Sequence, residues 1–306
     1  MEVVRRVAGA RDGVVTLAQA RAAGFTTHEV QRLCRSGRWR AIARGGYLVD
    51  ADLYDGVPRA AQIRAAMASF GPAAVAVLGT AAELHRIAGL PRTDEIHLSV
   101  PGPIARPARA AHPEVVVHQL VIAPNQLGLV GGITTTGPLR TISDLMLRAD
   151  RYVAVSLLDS ALNRGLVGAE ELRLVPSMIR GKRGAVAARR HLEESDGRAQ
   201  SPLETRARLR CADGGVPPDV LQLEVRDADG YLLGIGDLGW RAARLIAEAD
   251  GRGPHGGPQA VHADRRRQNR LINAGWRILR FTWSDTLSPD YIPWTVRQAL
   301  WPAHRL

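Results

Sequence analysis

Tyr231-Leu232-Leu233-Gly234-Ile235-Gly236-Asp237-Leu238 and Arg244-Leu245-Ile246-Ala247-Glu248-Ala249-Asp250 decide the fold of this chain. Trp240-Arg241-Ala242-Ala243 is too short to do more than turn the chain back, so the two apolar runs read as neighbouring antiparallel strands. Asp237 and Glu248 then sit close enough to share one ion. Side chains alternate along a strand, so Glu248 and Asp250, two apart, point to one face. Paired carboxylates are costly on a buried face, which must therefore be wet or occupied by a cation. Oxygen donors of this kind suit Mg²⁺ or Mn²⁺.

Working outward, Leu221-Gln222-Leu223-Glu224-Val225 is a further strand, joined to Tyr231 by the turn Asp227-Ala228-Asp229-Gly230. Ser201-Pro202-Leu203-Glu204 starts a helix, with Ser201 as cap and Pro202 in the first turn. Glu204 has two readings: the acid of a capping box, or an acid that projects into a neighbouring metal site. Asp264 to Trp276 reads as a helix carrying Arg265, Arg266, Arg267, Gln268 and Arg270, with Leu271 and Ile272 toward the core. Arg277-Ile278-Leu279-Arg280-Phe281-Thr282-Trp283 is a last strand. Three strands, a helix and a strand behind a first helix make an α/β sandwich on a mixed sheet.

The N-terminus carries a second pattern. Val14 to Gly24 reads as a short helix capped by Thr16, and Thr26 to Arg35 as another, with Val30, Leu33 and Cys34 in an apolar stripe. Trp39 to Val49 alternates as a hairpin. Helix, turn, helix and hairpin is the order of a winged helix-turn-helix, whose second helix enters the major groove and whose wing lies on the backbone. Residues 1–50 hold nine arginines against four acids, which gives this segment a net charge of +5. Arg32, Arg35, Arg38, Arg40 and Arg44 are the candidate DNA contacts there, and Arg265, Arg266 and Gln268 in the last third. The competing reading of the hairpin is a protein-contact module with a solvated basic face.

Residues 56–195 carry no chemical constellation. Helical patterns cover Ala60–Phe70 and Arg151–Arg164, and strand patterns cover Ala73–Leu78, Glu95–Val100 and Val115–His118. A Pro/Ala/Arg loop runs from Pro101 to Pro113, and a helix starts after Gly137-Pro138. His85, His97 and His118 stand alone and read as structural or surface residues.

The chain has 306 residues and a net charge of +11, which favours a polyanionic partner. Lys182 is its sole lysine. A GC-rich genome accounts for most of the preference for arginine over lysine, but not for the excess of positive charge. Cys34 and Cys211 are far apart and form no CxxC, which argues against a disulfide framework or a zinc site. No run of about 18 apolar residues occurs, so the expectation is a cytoplasmic protein without a membrane partner.

The spaced pieces Ser201-Pro202-Leu203-Glu204, Asp237-Leu238-Gly239-Trp240, Glu248-Ala249-Asp250-Gly251, a histidine at 255 or 262, Asp264-Arg265-Arg266 and Gly275-Trp276-Arg277-Ile278-Leu279-Arg280-Phe281-Thr282 resemble the PD-(D/E)XK nuclease superfamily. More narrowly they resemble its DUF559 group, related to Vsr-like very-short-patch-repair endonucleases. The likeness covers about residues 197–290. Gly37-Arg38-Trp39 and Arg44-Gly45-Gly46-Tyr47 resemble the winged helix of AbiEi-type antitoxins of type IV toxin–antitoxin systems. The middle region, with Thr80-Ala81-Ala82-Glu83-Leu84-His85 and Thr141-Ile142-Ser143-Asp144-Leu145, is similar to the linking part of actinobacterial proteins with this two-ended layout.

The resemblance implies a winged helix-turn-helix at 1–55, an α+β middle at 56–195 and a restriction-endonuclease-like α/β domain at 196–306. It implies a Mg²⁺- or Mn²⁺-dependent endonuclease acting on DNA, in repair or phage defence. Asp237, Glu248 and Asp250 would bind the ion, Glu204 would assist, and His255 would serve as base or acid. One departure stands out: the superfamily's lysine, two residues after the second acid, is here Asp250. Its work then shifts to His255, His262, Arg265 or Gln268, or the chain is a catalytically degenerate, antitoxin-like DNA-binding regulator. A toxin or defence-system partner is a further expectation.

Overall fold

Apolar residues at helical spacing build α1 (Glu2–Gly9), which buries Val4 and Ala8 and which the sequence reading overlooked. The computed structural model describes residues 1–101, 114–251 and 258–301. The chain is a mixed α/β protein, and it divides into two units, Met1–Leu145 and Met146–Leu306.

In the first unit Val14 and Val15 form a strand, β1 (Val14–Thr16), not the start of a helix. Two β-branched residues with both side chains buried fit a pleat better than a helical turn. Thr16 caps α2 (Leu17–Ala22), and Thr26 caps α3 (Thr27–Arg35), each in a capping box, with Gln19 and Glu29 respectively. The hairpin follows as β2 (Arg40–Ala43) and β3 (Gly46–Leu48), in a sheet ordered β1-β3-β2. Trp39 is its anchor, 1% exposed, tilted against Phe25 and Tyr47. Next comes α4 (Arg59–Phe70), which lays Ala61 and Ala65 against Leu48 and Ala43 of that sheet.

A five-stranded sheet completes the unit. Its strands are β4 (Val75–Ala76), β5 (Ile96–Ser99), β6 (Val115–His118), β7 (Leu127–Val130) and β8 (Ile133–Thr136), ordered β6-β5-β4-β8-β7. The expected strand to Leu78 is cut short, because Leu78 opens α5 (Leu78–Leu84). A final helix, α6 (Pro138–Met146), begins at the Pro138 of the Gly137-Pro138 turn.

The second unit starts with α7 (Arg151–Asn163), capped by Asp150, whose carboxylate accepts from the Val153 amide at 2.9 Å. Two one-turn helices, α8 (Ala169–Leu172) and α9 (Val175–Met178), lead to α10 (Ala185–Glu193) and α11 (Pro202–Asp213). Buried Asp159 of α7 accepts from Thr205 Oγ1 at 2.8 Å and Arg208 Nη2 at 2.9 Å on α11, which ties the two helices together. The stretch read as one middle region therefore divides in packing: residues up to 145 belong with the first unit, and α7 packs on α10 and α11 in the second.

The four-stranded sheet holds β9 (Val220–Arg226), β10 (Leu232–Trp240), β11 (Leu245–Ala249) and β12 (Arg277–Phe281), in the order β12-β11-β10-β9. The pairs β9/β10 and β10/β11 are antiparallel and β11/β12 is parallel. Between β11 and β12 runs α12 (Pro258–Asn273), and α13 (Tyr291–Leu300) follows β12. Ala207 and Cys211 of α11 and Ile292 and Val296 of α13 cover one face with Leu221, Leu238, Leu245 and Ala247. Leu271 of α12 covers the other with Leu223, Val225 and Ile246. Ile272, expected inside, is 52% exposed, because the helical period sends it off the buried stripe. Gly234 lets α12 come close: a Cβ there would stand 3.1 Å from both Arg267 Cγ and Leu271 Cδ1.

Candidate functional site

The register of β10 on β11 pairs Leu238 with Ala247, which sets Asp237 directly opposite Glu248. Both line a cleft of about 480 Å³ with Asp250, Ile235, Arg267, Arg270 and Arg280. Asp250 lies one residue beyond β11, and its amide donates to the Phe281 carbonyl at 2.7 Å. Thus Asp237, Glu248 and Asp250 reach one cavity, although no group of three or more His, Cys, Asp or Glu among the described residues is gathered tightly enough to hold a metal ion. The close carboxylate pair is Asp237 with Glu248, and Asp250 turns to Arg280, whose Nε is 3.5 Å from its Oδ2.

Asp237 Oδ2 accepts from the Ala249 amide at 2.8 Å. Burial, and then the negative charge of Glu248, hold the Asp237 carboxyl above its ordinary range. Glu204 is buried at the start of α11 and lies outside the cleft lining, its carboxylate accepting from the Gln200 amide at 2.8 Å. It takes part in the cap with Ser201, and it also borders the acid pair. Burial raises its carboxyl too, the bond from the Gln200 amide opposes this, and the charge of Asp237 adds to the rise. Three acids thus influence one another, with Asp237 between Glu204 and Glu248.

Gln222 joins two of them, and the sequence reading overlooked it. Its Nε2 donates to Glu204 Oε2 at 2.9 Å, and its side chain also bonds Asp237. Its backbone has φ +53°, in the left-handed region that a non-glycine residue rarely adopts. Leu221 packs with the α11/α13 layer and Leu223 with the α12 layer, although two residues apart on a strand usually share a face. The turned backbone at Gln222 lies at this switch and coincides with the placement of its amide between the acids.

The arginines at the cleft are not those first named. Arg265 and Arg266 are exposed, and with Gln268 they lie outside the cavity lining. Arg267 and Arg270, three apart on α12, face it, and Arg280 joins from β12. Arg267 Nη1 donates to Glu248 Oε1 at 2.7 Å and to the Ile235 carbonyl at 3.0 Å, while Nη2 holds Asp264 Oδ1 at 2.7 Å. Arg280 Nη2 reaches Asp264 Oδ2 at 3.3 Å, and its Nε lies 3.7 Å from Glu248 Oε2. The Asp264 carboxyl falls below its usual range, mainly through its bond with Arg267. Burial opposes the Arg267 charge, but the bonds to Glu248 and Asp264 outweigh it and raise that group further. At the rim, Arg270 lies over the Tyr231 ring, 6.0 Å from its centroid. His255 lies outside the described residues, and His262 is exposed on α12.

In the first unit Arg32 and Arg35 are exposed on α3, and Arg38, Arg40 and Arg44 are exposed in and around the hairpin. Arg32, Arg35, Arg38 and Arg40 form no ion pair among the described residues. His85 Nε2 lies 2.8 Å from the Thr136 carbonyl, and His97 Nδ1 lies 3.0 Å from His118 Nε2, so the last two are partners, not isolated. Both cysteines are free thiols, and burial pushes that of Cys211 up to about 12. No helix among the described residues is long and apolar enough to cross a membrane.

No family model matches the chain. The uncharacterized protein MT2308 of Mycobacterium tuberculosis strain CDC 1551 / Oshkosh is 35% identical over 215 residues, which cover 70% of this chain and 76% of the relative. The uncharacterized protein Rv2248 of strain ATCC 25618 / H37Rv is similar to the same extent. The crystal structure of the RV2827C protein from Mycobacterium tuberculosis superposes with a TM-score of 0.45 at 16% identity, covering 75% of this chain and 89% of that one. The chain belongs to the family of the two mycobacterial proteins MT2308 and Rv2248.

Proposed function

We propose that this member of the mycobacterial family binds DNA and hydrolyses its phosphodiester bonds with Mg²⁺ or Mn²⁺ at Asp237 and Glu248. The observation that carries the reading is the cross-strand register that opposes the two acids at an open, arginine-lined cleft. The donor set fits a hard cation: both groups offer oxygen, and Asp237 is buried against a second negative charge. When bound, such an ion lowers the pKa of an attacking water and stabilises the leaving oxygen. Gln222 orients Asp237 and Glu204 through its amide. Arg270 and Arg280 hold a phosphate of the strand to be cut, since guanidinium forks match phosphate oxygens. His255 stays the proposed base or acid.

The second unit's sheet with α11 and α12 then reads as a PD-(D/E)XK-type, DUF559-like domain at 196–306. The α2–α3 pair with its hairpin reads as a winged helix-turn-helix at 1–55, an arrangement that would put α3 in the major groove. The region 56–195 reads as the linking part, and the setting as DNA repair or phage defence in the cytoplasm.

One observation favours a second reading. Arg267 already neutralises Glu248 at 2.7 Å, so the cleft carries a fixed cation of its own. On that reading the chain is a degenerate nuclease fold serving as an antitoxin-like DNA-binding regulator, with a toxin or defence-system partner. Supercoiled plasmid with Mg²⁺ or Mn²⁺ separates the two. The nuclease reading requires nicking by wild type and none by Asp237→Ala. If neither nicks and both retard DNA equally on a gel, the regulator reading stands.

A further inference from the structure

We infer that Arg267 is the built-in counter-cation of the carboxylate pair, holding Glu248 until a phosphodiester draws its guanidinium away. The inference rests on the reading of Asp237 and Glu248 as a metal site. The cation that meets Glu248 of β11 comes from α12, the helix that packs over the sheet. Arg267 spans three acceptors: Glu248 Oε1, the Ile235 carbonyl and Asp264 Oδ1. Gly234 makes room for its stem. The Glu248 side chain is only 9% exposed, and an ionised carboxylate so buried needs a counter-charge at all times. Arg280, at 3.7 Å, is too distant to replace a bond of 2.7 Å.

A divalent ion and Arg267 therefore compete for the same carboxylate. A DNA phosphate at the cleft offers the guanidinium a bidentate acceptor, frees Glu248 and raises the affinity for the ion. By the same linkage the ion raises the affinity for DNA. The pair keeps Glu248 in place without metal, and confines tight metal binding to the DNA complex.

Calorimetric titration of the full chain with Mn²⁺ tests this, alone and with a DNA duplex whose linkages are phosphorothioates that resist cleavage. Wild type should bind Mn²⁺ weakly alone and more tightly with the duplex. Arg267→Ala should bind Mn²⁺ about ten-fold more tightly without DNA, a step of the size seen when metal-site surroundings are altered, and should lose the gain from DNA. Arg267→Lys keeps the charge but cannot span all three acceptors, and should fall between; it carries the test if the alanine variant does not fold. Equal or weaker Mn²⁺ binding by both variants overturns the inference and leaves the metal site intact. Absence of Mn²⁺ binding in wild type and variants alike overturns the metal-site reading itself.

Discussion

Asp237→Asn should make the protein more stable while removing its metal response. Cross-strand partners place their Cβ atoms about 5 Å apart, and two unit charges at that separation repel by roughly 3 kcal/mol at an effective dielectric of about 20. Arg267 and Arg280 beside Glu248 cancel much of this, leaving about 1 kcal/mol, to which burial of Asp237 adds. Asparagine keeps an oxygen for the Ala249 amide, so the substitution removes charge with little change of shape. The Asp237 carboxyl is raised in the folded protein, which therefore holds its proton more readily than the unfolded chain does. Its penalty is absent below the ordinary carboxylate range, grows as pH climbs from there toward the raised folded value, and is complete above that value. Thermal unfolding by circular dichroism at pH 7.5 in EDTA should place the variant about 2–4 °C above wild type for each kcal/mol recovered, and the gap should close near pH 4. Mg²⁺ should then raise wild type and leave the variant unmoved, since binding to the folded state alone stabilises it. A variant that unfolds below wild type in EDTA, or gains equally from Mg²⁺, refutes the reasoning.

Gln222→Ala should lose about 1–2 kcal/mol, because alanine keeps the strained φ of +53° and loses the amide; Gln222→Gly should be the more stable of the two by about 1 kcal/mol, and urea unfolding midpoints compare them. Arg38→Ala with Arg40→Ala should weaken DNA binding and lower the slope of log affinity against log salt by about one for each phosphate no longer neutralised; an unchanged slope takes the hairpin out of the interface. Trp39→Ala should cost about 3–5 kcal/mol by emptying the anchor of the three-stranded sheet, with an early loss of near-ultraviolet circular dichroism as the sign. Thr26→Ala should cost about 1 kcal/mol by removing the capping box, seen as a lower urea midpoint with unchanged slope.

Local chemistry was legible in the sequence where one residue decides it. Thr16 and Ser201 cap helices, and a cap is a contact between residues two or three apart. The strand pair bearing Asp237 and Glu248 was legible because the connection is too short for any other path. What sequence could not give was geometry set by packing. Arg265, Arg266 and Arg267 are the same residue type in a row, and only the seating of α12 over Gly234 selects Arg267 for the cleft. Gln222 gave no signal at all, since its placement depends on a left-handed turn inside a strand. The short strands β7 and β8 escaped notice because Gly128, Gly131 and Gly132 interrupt the alternation that marks a strand. Val14 and Val15 misled because the cap at Thr16 drew them into the helix it begins.

On the proposed function, Asp237 and Glu248 act as one metal site in phosphodiester hydrolysis. Plasmid cleavage rates in Mg²⁺ for Asp237→Asn, Glu248→Gln and the double variant test it most directly, because residues that work as a unit are not additive. Each single change should cost at least about a hundred-fold, and the double no more than the worse single. Singles that keep the wild-type rate, or losses that multiply in the double variant, would contradict it.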